Sequence, residues 1–184
     1  MNEIGRRDTQ WPLYEVFMQE KAERPFQSVG AVHAADAEMA ILNARTVFVR
    51  RPACHTLWVV PHSAILMRTS EELADDEEDD ADTGEPQRYQ IFQKTSQRRA
   101  MVYVGHVGEI TAVSPQHALR QAIDTFGSSE DVFVWWVVPN AAITSTDDDD
   151  IDSLFAPAYD KIYRQPSAYR TFTAIRKAKH SSNQ

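Results

Sequence analysis

The first regular pattern in the chain has a period of two. Tyr14, Val16 and Met18 alternate with Glu15, Phe17 and Gln19, and a two-residue period rich in aromatic and β-branched side chains predicts a strand. Lys21 to Gln27, with Pro25, supplies a turn, and Val29 to His33 resumes the apolar pattern, so 13–33 is expected to form a β-hairpin. The period then changes. Asp36 is placed as a helix N-cap, because its carboxylate can accept from the free amides of the first turn and suits the positive end of the helix dipole. Met39, Ala40, Ala44, Val47 and Phe48 follow at helical spacing, giving an amphipathic helix to about Arg50 that Pro52 stops. Thr56 to Val60 then reads as an apolar strand closed by Pro61.

A weaker copy of this stretch, Val29 to Ile65, returns over Val104 to Ile143. Tyr14 and Phe17 match Tyr89 and Phe92, and Val29-Gly30 matches Val104-Gly105, at an offset of 75. After three inserted residues the offset is 78: Ala40 matches Ala118, Ala44 matches Ala122, Phe48 matches Phe126, and Trp58-Val59-Val60-Pro61 matches Trp136-Val137-Val138-Pro139. On this alignment His33 falls opposite Gly108, and the His-Ala-Ala-Asp stretch is replaced by Gly108-Glu109-Ile110-Thr111. Ser114 with Pro115 starts the second helix, and Gly127 is expected to supply its left-handed stop. Gly30 and Gly105 are expected to mark a bulge in their hairpins.

The expected fold is therefore α+β: two tandem β-β-α-β repeats forming a pseudo-dimer, with antiparallel-rich sheets each covered by a helix. A unit of about 55 residues buries only about 60 % of its unfolded surface and is marginal alone, which is the physical motive for pairing two copies. The organisation reads as a first repeat over 11–69, an acidic disordered linker over 70–87, a second, diverged repeat over 88–146, and an acidic loop with an extended aromatic and basic tail over 147–184.

Composition refines this picture in two places. The net charge of −8 is concentrated, since Glu71 to Glu85 holds ten acids and no base; setting those aside leaves 17 of 27 acids against 19 bases. Such a run cannot bury enough apolar surface to offset its ordering entropy, and the remainder carries no basic footprint for nucleic acid. No run approaches the roughly 20 apolar residues that span a bilayer, and Met1 to Gln10 is polar, unlike a signal peptide. The single Cys54 excludes an internal disulfide and a cysteine zinc site. A soluble, cytoplasmic protein is expected.

Catalytic motifs are missing. The six histidines show no HxxxH or HxxE spacing that would place two ligands on one helix face, and neither GxGxxG nor GxxxxGK[ST] occurs. His33, Cys54 and His55 are the candidates for a stand-alone small-molecule-binding or catalytic domain using a cleft between the repeats. His33 is as well explained by hydrogen bonding beside the Asp36 cap, and adjacent Cys54 and His55 diverge in a loop. Trp11, Tyr14, Tyr159, Tyr163, Tyr169 and Arg164 are instead residue types favoured at interface hot spots, some of them expected in the core.

Four segments carry a resemblance: WPLYEVF (Trp11–Phe17), VGAVHAADAEMAILNAR (Val29–Arg45), LWVVP (Leu57–Pro61) and FAPAYDKIYRQPSAY (Phe155–Tyr169). They resemble the PaaB-type small component of ring-1,2-phenylacetyl-CoA epoxidase, a multicomponent monooxygenase of phenylacetate degradation. The resemblance implies a non-catalytic bridging subunit without a cofactor of its own. The di-iron site would belong to a helical catalytic subunit paired with a structural paralogue, and flavin and iron–sulfur centres to a reductase. From the charge distribution and the lack of an apolar span, no nucleic-acid or membrane partner is expected. Here a second repeat is inserted before the tail, and Gln165 stands where the family's YRHP motif has His. Partner-interface candidates are Trp11, Arg50, Arg51, Tyr163, Arg164, Pro166 and Tyr169. A homo-oligomeric scaffold with no oxygenase link is the remaining alternative.

Overall fold

The computed structural model describes residues 10–49, 54–75, 84–96, 104–127, 132–149 and 151–159. In the first half, β1 (Leu13–Gln19) and β2 (Gln27–His33) form the expected hairpin and α1 (Ala37–Phe48) follows. Then β3 (Thr56–Pro61) returns antiparallel beside β1, and a 3-10 turn over His62–Ala64 leads to β4 (Leu66–Thr69) and the short α2 (Ser70–Asp75). The second half repeats the course with β5 (Gln87–Lys94), β6 (Val104–Ala112), α3 (Pro115–Phe126), β7 (Val134–Pro139), β8 (Thr144–Ser145) and α4 (Ile151–Tyr159). The protein is α+β with an antiparallel sheet, and each half has a fourth strand that the β-β-α-β expectation omits.

The eight strands form one sheet in the order β4-β7-β5-β6-β2-β1-β3-β8. The order is palindromic by repeat, and it exchanges the fourth strands. β4, from the first half, pairs with β7 of the second, and β8 pairs with β3 of the first. This forces the sheet to curl. β3 and β4 lie six strand spacings apart in the order, about 28 Å if the sheet were flat. The chain from Pro61 to Leu66 can span only about 17 Å. The two ends of the sheet must therefore approach one another, bringing the two half-sheets face to face.

Three apolar clusters fill the resulting layers. Ala40 and Ala44 of α1 lie with Tyr14, Val16, Val32, Leu57 and Val59 on the outer face of one half-sheet, and Ala118, Leu119 and Ala122 of α3 lie with Tyr89, Ile91 and Val137 on the other. Between the half-sheets, Phe17, Phe26, Val60 and Ile65 meet Phe92, Val104, Trp136 and Val138. The rings of Phe17 and Phe92, equivalent residues of the two repeats, have centroids 4.3 Å apart. Phe17 also meets Trp136 edge-on at 6.0 Å. By contrast β2 and β6 share a single ladder pair, Gln27 with Gly105, so backbone bonding at that seam is slight.

Register corrects the alignment of the repeats. Val16 pairs with Gly30 and Ile91 with Gly108, and both hairpins shift register at the next residue. The extra three residues therefore lie in the β5–β6 connection, and Gly30 corresponds to Gly108 rather than Gly105. The environment agrees: Gly30, at φ +129°, lies under the Phe48 ring, and Gly108 under the Phe126 ring. His33-Ala34-Ala35-Asp36 then corresponds to Thr111-Ala112-Val113-Ser114, so the cap is kept in kind. Asp36 accepts from the Met39 amide at 2.8 Å and Ser114 from the His117 amide at 3.1 Å.

Other expectations change locally. Gly127 caps α3 at φ −78°, not in the left-handed region. Its value is the missing side chain, since a Cβ there would collide with the Ile123 carbonyl oxygen. The acidic stretch expected to be disordered begins with α2, whose Leu73 packs on the second core; residues 76–83 lie outside the described residues. The segment expected to be extended contains α4, with Phe155 buried in the first core. Equivalence extends this far, because Leu73 and Ile151 differ by 78 and pack on opposite repeats' cores.

Candidate partner surface

Trp11 precedes β1 at the edge of the first core and is 58 % exposed. Its carbonyl oxygen accepts from His33 Nδ1 at 2.7 Å, and Asn43 of α1 donates to the His33 carbonyl at 3.1 Å. This ties the chain entry, the end of β2 and the middle of α1 together. His33 is thus a structural tie with an exposed ring. Arg50, Arg51, Tyr163, Arg164, Pro166 and Tyr169 lie outside the described residues.

The outward side of α1 is more apolar than the helical spacing suggests. Met39 and Val47, expected on the buried face, are 39 % and 43 % exposed, and Leu42 is 46 % exposed. Ala40 and Ala44 alone of α1 are fully buried. Comparison with the second repeat carries the missed signal, because α3 has Arg120 where α1 has Leu42 and His117 where it has Met39.

Polar side chains also enter the space between the half-sheets, again in equivalent positions. Glu15 is buried, and His62 Nδ1 donates to its Oε1 at 3.1 Å. Burial pushes the Glu15 carboxyl above its ordinary range, and the His62 hydrogen bond opposes that rise. In the second repeat the same places hold Gln90 and Asn140, whose amides bond at 3.1 Å. Gln90 Nε2 also donates to Glu109 Oε2 at 2.6 Å, and His106 Nε2 donates to Gln90 Oε1 at 2.7 Å. Burial holds His106 below its ordinary value, against the pull of the Gly108 backbone and Glu109. One repeat thus satisfies the buried polar side chain at this position with an exposed imidazole, the other with a half-buried amide.

The remaining chemical candidates do not assemble. Burial, reinforced by Glu20, pushes the Cys54 thiol up to about 12, so it is almost entirely protonated near neutrality and a poor nucleophile. His55 is exposed, and no hydrogen bond joins it to Cys54. A cavity of about 200 Å³ lies at the β1–β2 turn, lined by Met18, Glu20, Arg24 and Gln27 among others. It is smaller than the roughly 300–1,000 Å³ of ordinary ligand pockets. Among the described residues no three His, Cys, Asp or Glu side chains come together to hold a metal ion, and no helix is long and apolar enough to cross a membrane.

What the architecture defines is a tandem α+β protein whose two copies complete each other's sheets. The chain belongs to the Phenylacetic acid degradation B (PaaB) family, whose model matches residues 10–84 and again residues 85–176. It is similar to the B component of 1,2-phenylacetyl-CoA epoxidase from Escherichia coli (strain K12), with 45 % identity over 62 residues. That match covers 34 % of this chain and 65 % of the length of the relative. No solved structure matches the chain.

Proposed function

We propose that this protein is a non-catalytic, bridging subunit of a di-iron multicomponent monooxygenase resembling phenylacetyl-CoA epoxidase, acting in aerobic phenylacetate degradation in the cytoplasm. Membership of the family by both repeats carries the reading. Its partners would be a helical di-iron catalytic subunit and that subunit's structural paralogue, with a flavin and iron–sulfur reductase supplying electrons. The di-iron centre would activate dioxygen in the catalytic subunit; this chain contributes binding surface. Its two repeats act as a pseudo-dimer, so that one chain provides what two single-repeat subunits would otherwise supply. Trp11, with Arg50, Arg51 and the tail residues Tyr163, Arg164, Pro166 and Tyr169, is the surface proposed to meet the partners. The protonated state of the half-buried Cys54 and the exposed position of Trp11 favour binding over catalysis by this chain.

The test is co-expression of the full chain with the catalytic and structural oxygenase subunits from the same genome. Co-purification, and phenylacetyl-CoA-dependent oxygen consumption that falls when this chain is left out, is the expected result. A chain that never enters the complex, or that turns over an acyl-CoA alone, overturns the reading.

A further inference from the structure

α1 and α3 occupy equivalent places, yet their outward sides differ in kind. At about 100° per residue, Ala40 and Ala44 point at the sheet and Met39, Leu42 and Thr46 form the opposite ridge. That ridge is apolar at Met39 and Leu42, and all three side chains are exposed. The matching ridge of α3 is His117, Arg120 and Asp124. Beside the α1 ridge, along one flank, lie Glu38 in the first turn and Arg45 in the last. Neither has an ion-pair partner among the described residues. At their places α3 has Gln116 and Ile123, which are uncharged.

An apolar ridge flanked by an acid at one end and a base at the other is complementary to itself in the antiparallel sense. We propose that this side of α1 is a homodimer interface, in which two chains pair through antiparallel α1 helices about a two-fold axis near Leu42. Leu42 then packs on its own copy and Met39 on the far end of the opposing ridge. A two-fold axis perpendicular to the plane of the two helices keeps equivalent flanks on one side, so Glu38 of each chain meets Arg45 of the other. Both charges find partners twice over without any change of sequence. The contact is isologous and therefore closed. α3, with a charged ridge, offers no second site, so growth stops at two chains. The apolar part of the ridge is small beside the roughly 800 Å² that each partner buries in a standard stable complex, which makes the dimer reversible and concentration-dependent.

This goes beyond the proposed oxygenase role and is tested without it, on the isolated full-length chain. Sedimentation velocity over a dilution series is expected to show a monomer–dimer equilibrium, and Leu42→Glu is expected to raise the dimer Kd at least about tenfold. Glu38→Arg and Arg45→Glu should each weaken the dimer, and the two together should restore it, because the reversed pair has the same complementarity. Thermal unfolding of each variant controls for folding; Glu38 and Leu42 are exposed and Arg45 half-buried, and none of the three lies in the core. A chain that stays monomeric at its highest soluble concentration overturns the proposal. So does a dimer indifferent to Leu42→Glu, or a double reversal that fails to restore association. If Leu42→Glu leaves self-association unchanged but abolishes capture of the oxygenase subunits, the ridge belongs to a different protein and the homodimer is refuted.

Discussion

The ring contact between the two repeats, Phe17 against Phe92, makes a quantitative prediction about cooperativity. Both rings are fully buried, their centroids are 4.3 Å apart, and they lie in the cluster that the two half-sheets share. Replacing either by Leu keeps most of the volume and should cost about 1.5 kcal/mol, at the upper end for well-tolerated core swaps because a flat ring is lost from a packed stack. The aromatic pair itself is worth about 1 kcal/mol beyond the area it buries. That term is lost once, not twice. The double variant Phe17→Leu/Phe92→Leu should therefore be less destabilised than the sum of the singles by about 1 kcal/mol. Each single variant should lower Tm by roughly 3–6 °C for a chain of this size. Urea unfolding followed by tryptophan fluorescence and by far-UV circular dichroism measures all four free energies. The two probes should give one coincident transition, because each half-sheet relies on a strand from the other. Coupling below about 0.3 kcal/mol, or two separable transitions, would refute the claim that the halves share a core.

Two further outcomes follow from the polar groups. Glu15 has its carboxyl raised by burial, so it contributes most to stability below the ordinary value of 4.5 and that contribution is lost as pH rises through its folded-state pKa. Glu15→Gln, which reproduces the Gln90 of the second repeat, should flatten the stability–pH curve above 4.5 and gain on the native chain toward neutrality, as read from urea midpoints; an unchanged slope counts against the burial argument. Cys54, with its thiol at about 12 instead of 9.0, should react with an aromatic disulfide reagent at pH 8 at least about 30-fold more slowly in the native state than after unfolding, the lower thiolate fraction outweighing the greater nucleophilicity of a more basic thiolate. Rapid native labelling would show the thiol to be ionised or exposed.

Exchange of β4 and β8 gives a physical reason for carrying two repeats in one chain. Each three-stranded core presents β3 or β7 with an open side, and the strand that covers it is supplied by the other repeat. Edge strands invite unwanted pairing when left open. Covalent linkage places the covering strands at high effective concentration and removes the need for a second chain to complete this sheet.

Much of this is legible in the residues. Alternation at Tyr14 to Gln19, the caps at Asp36 and Ser114, and the WVVP strands announce the hairpins, helices and third strands, because each is a local pattern with a local cause. The constant offset between anchors announces the repeat, and four short motifs point to the family. The fourth strands are not legible. β4 is four half-buried residues without alternation and β8 only two, and their pairing partners belong to the other repeat. Nor can the alignment of His33 be settled locally, since only the ladder shows that the three extra residues sit in the β5–β6 turn and that Gly30 and Gly108 are the pair covered by Phe48 and Phe126. Met39 and Val47 look like core by spacing alone; which arc of α1 meets the sheet is decided by the Ala40 and Ala44 contacts beneath it. Sequence by itself determined the elements, their duplication and their kinship, because propensity, capping and period act over a few residues. Tertiary structure decided how the halves interlock and which side of each helix is left to the solvent, because these depend on contacts between residues some 75 positions apart, such as Phe17 and Phe92.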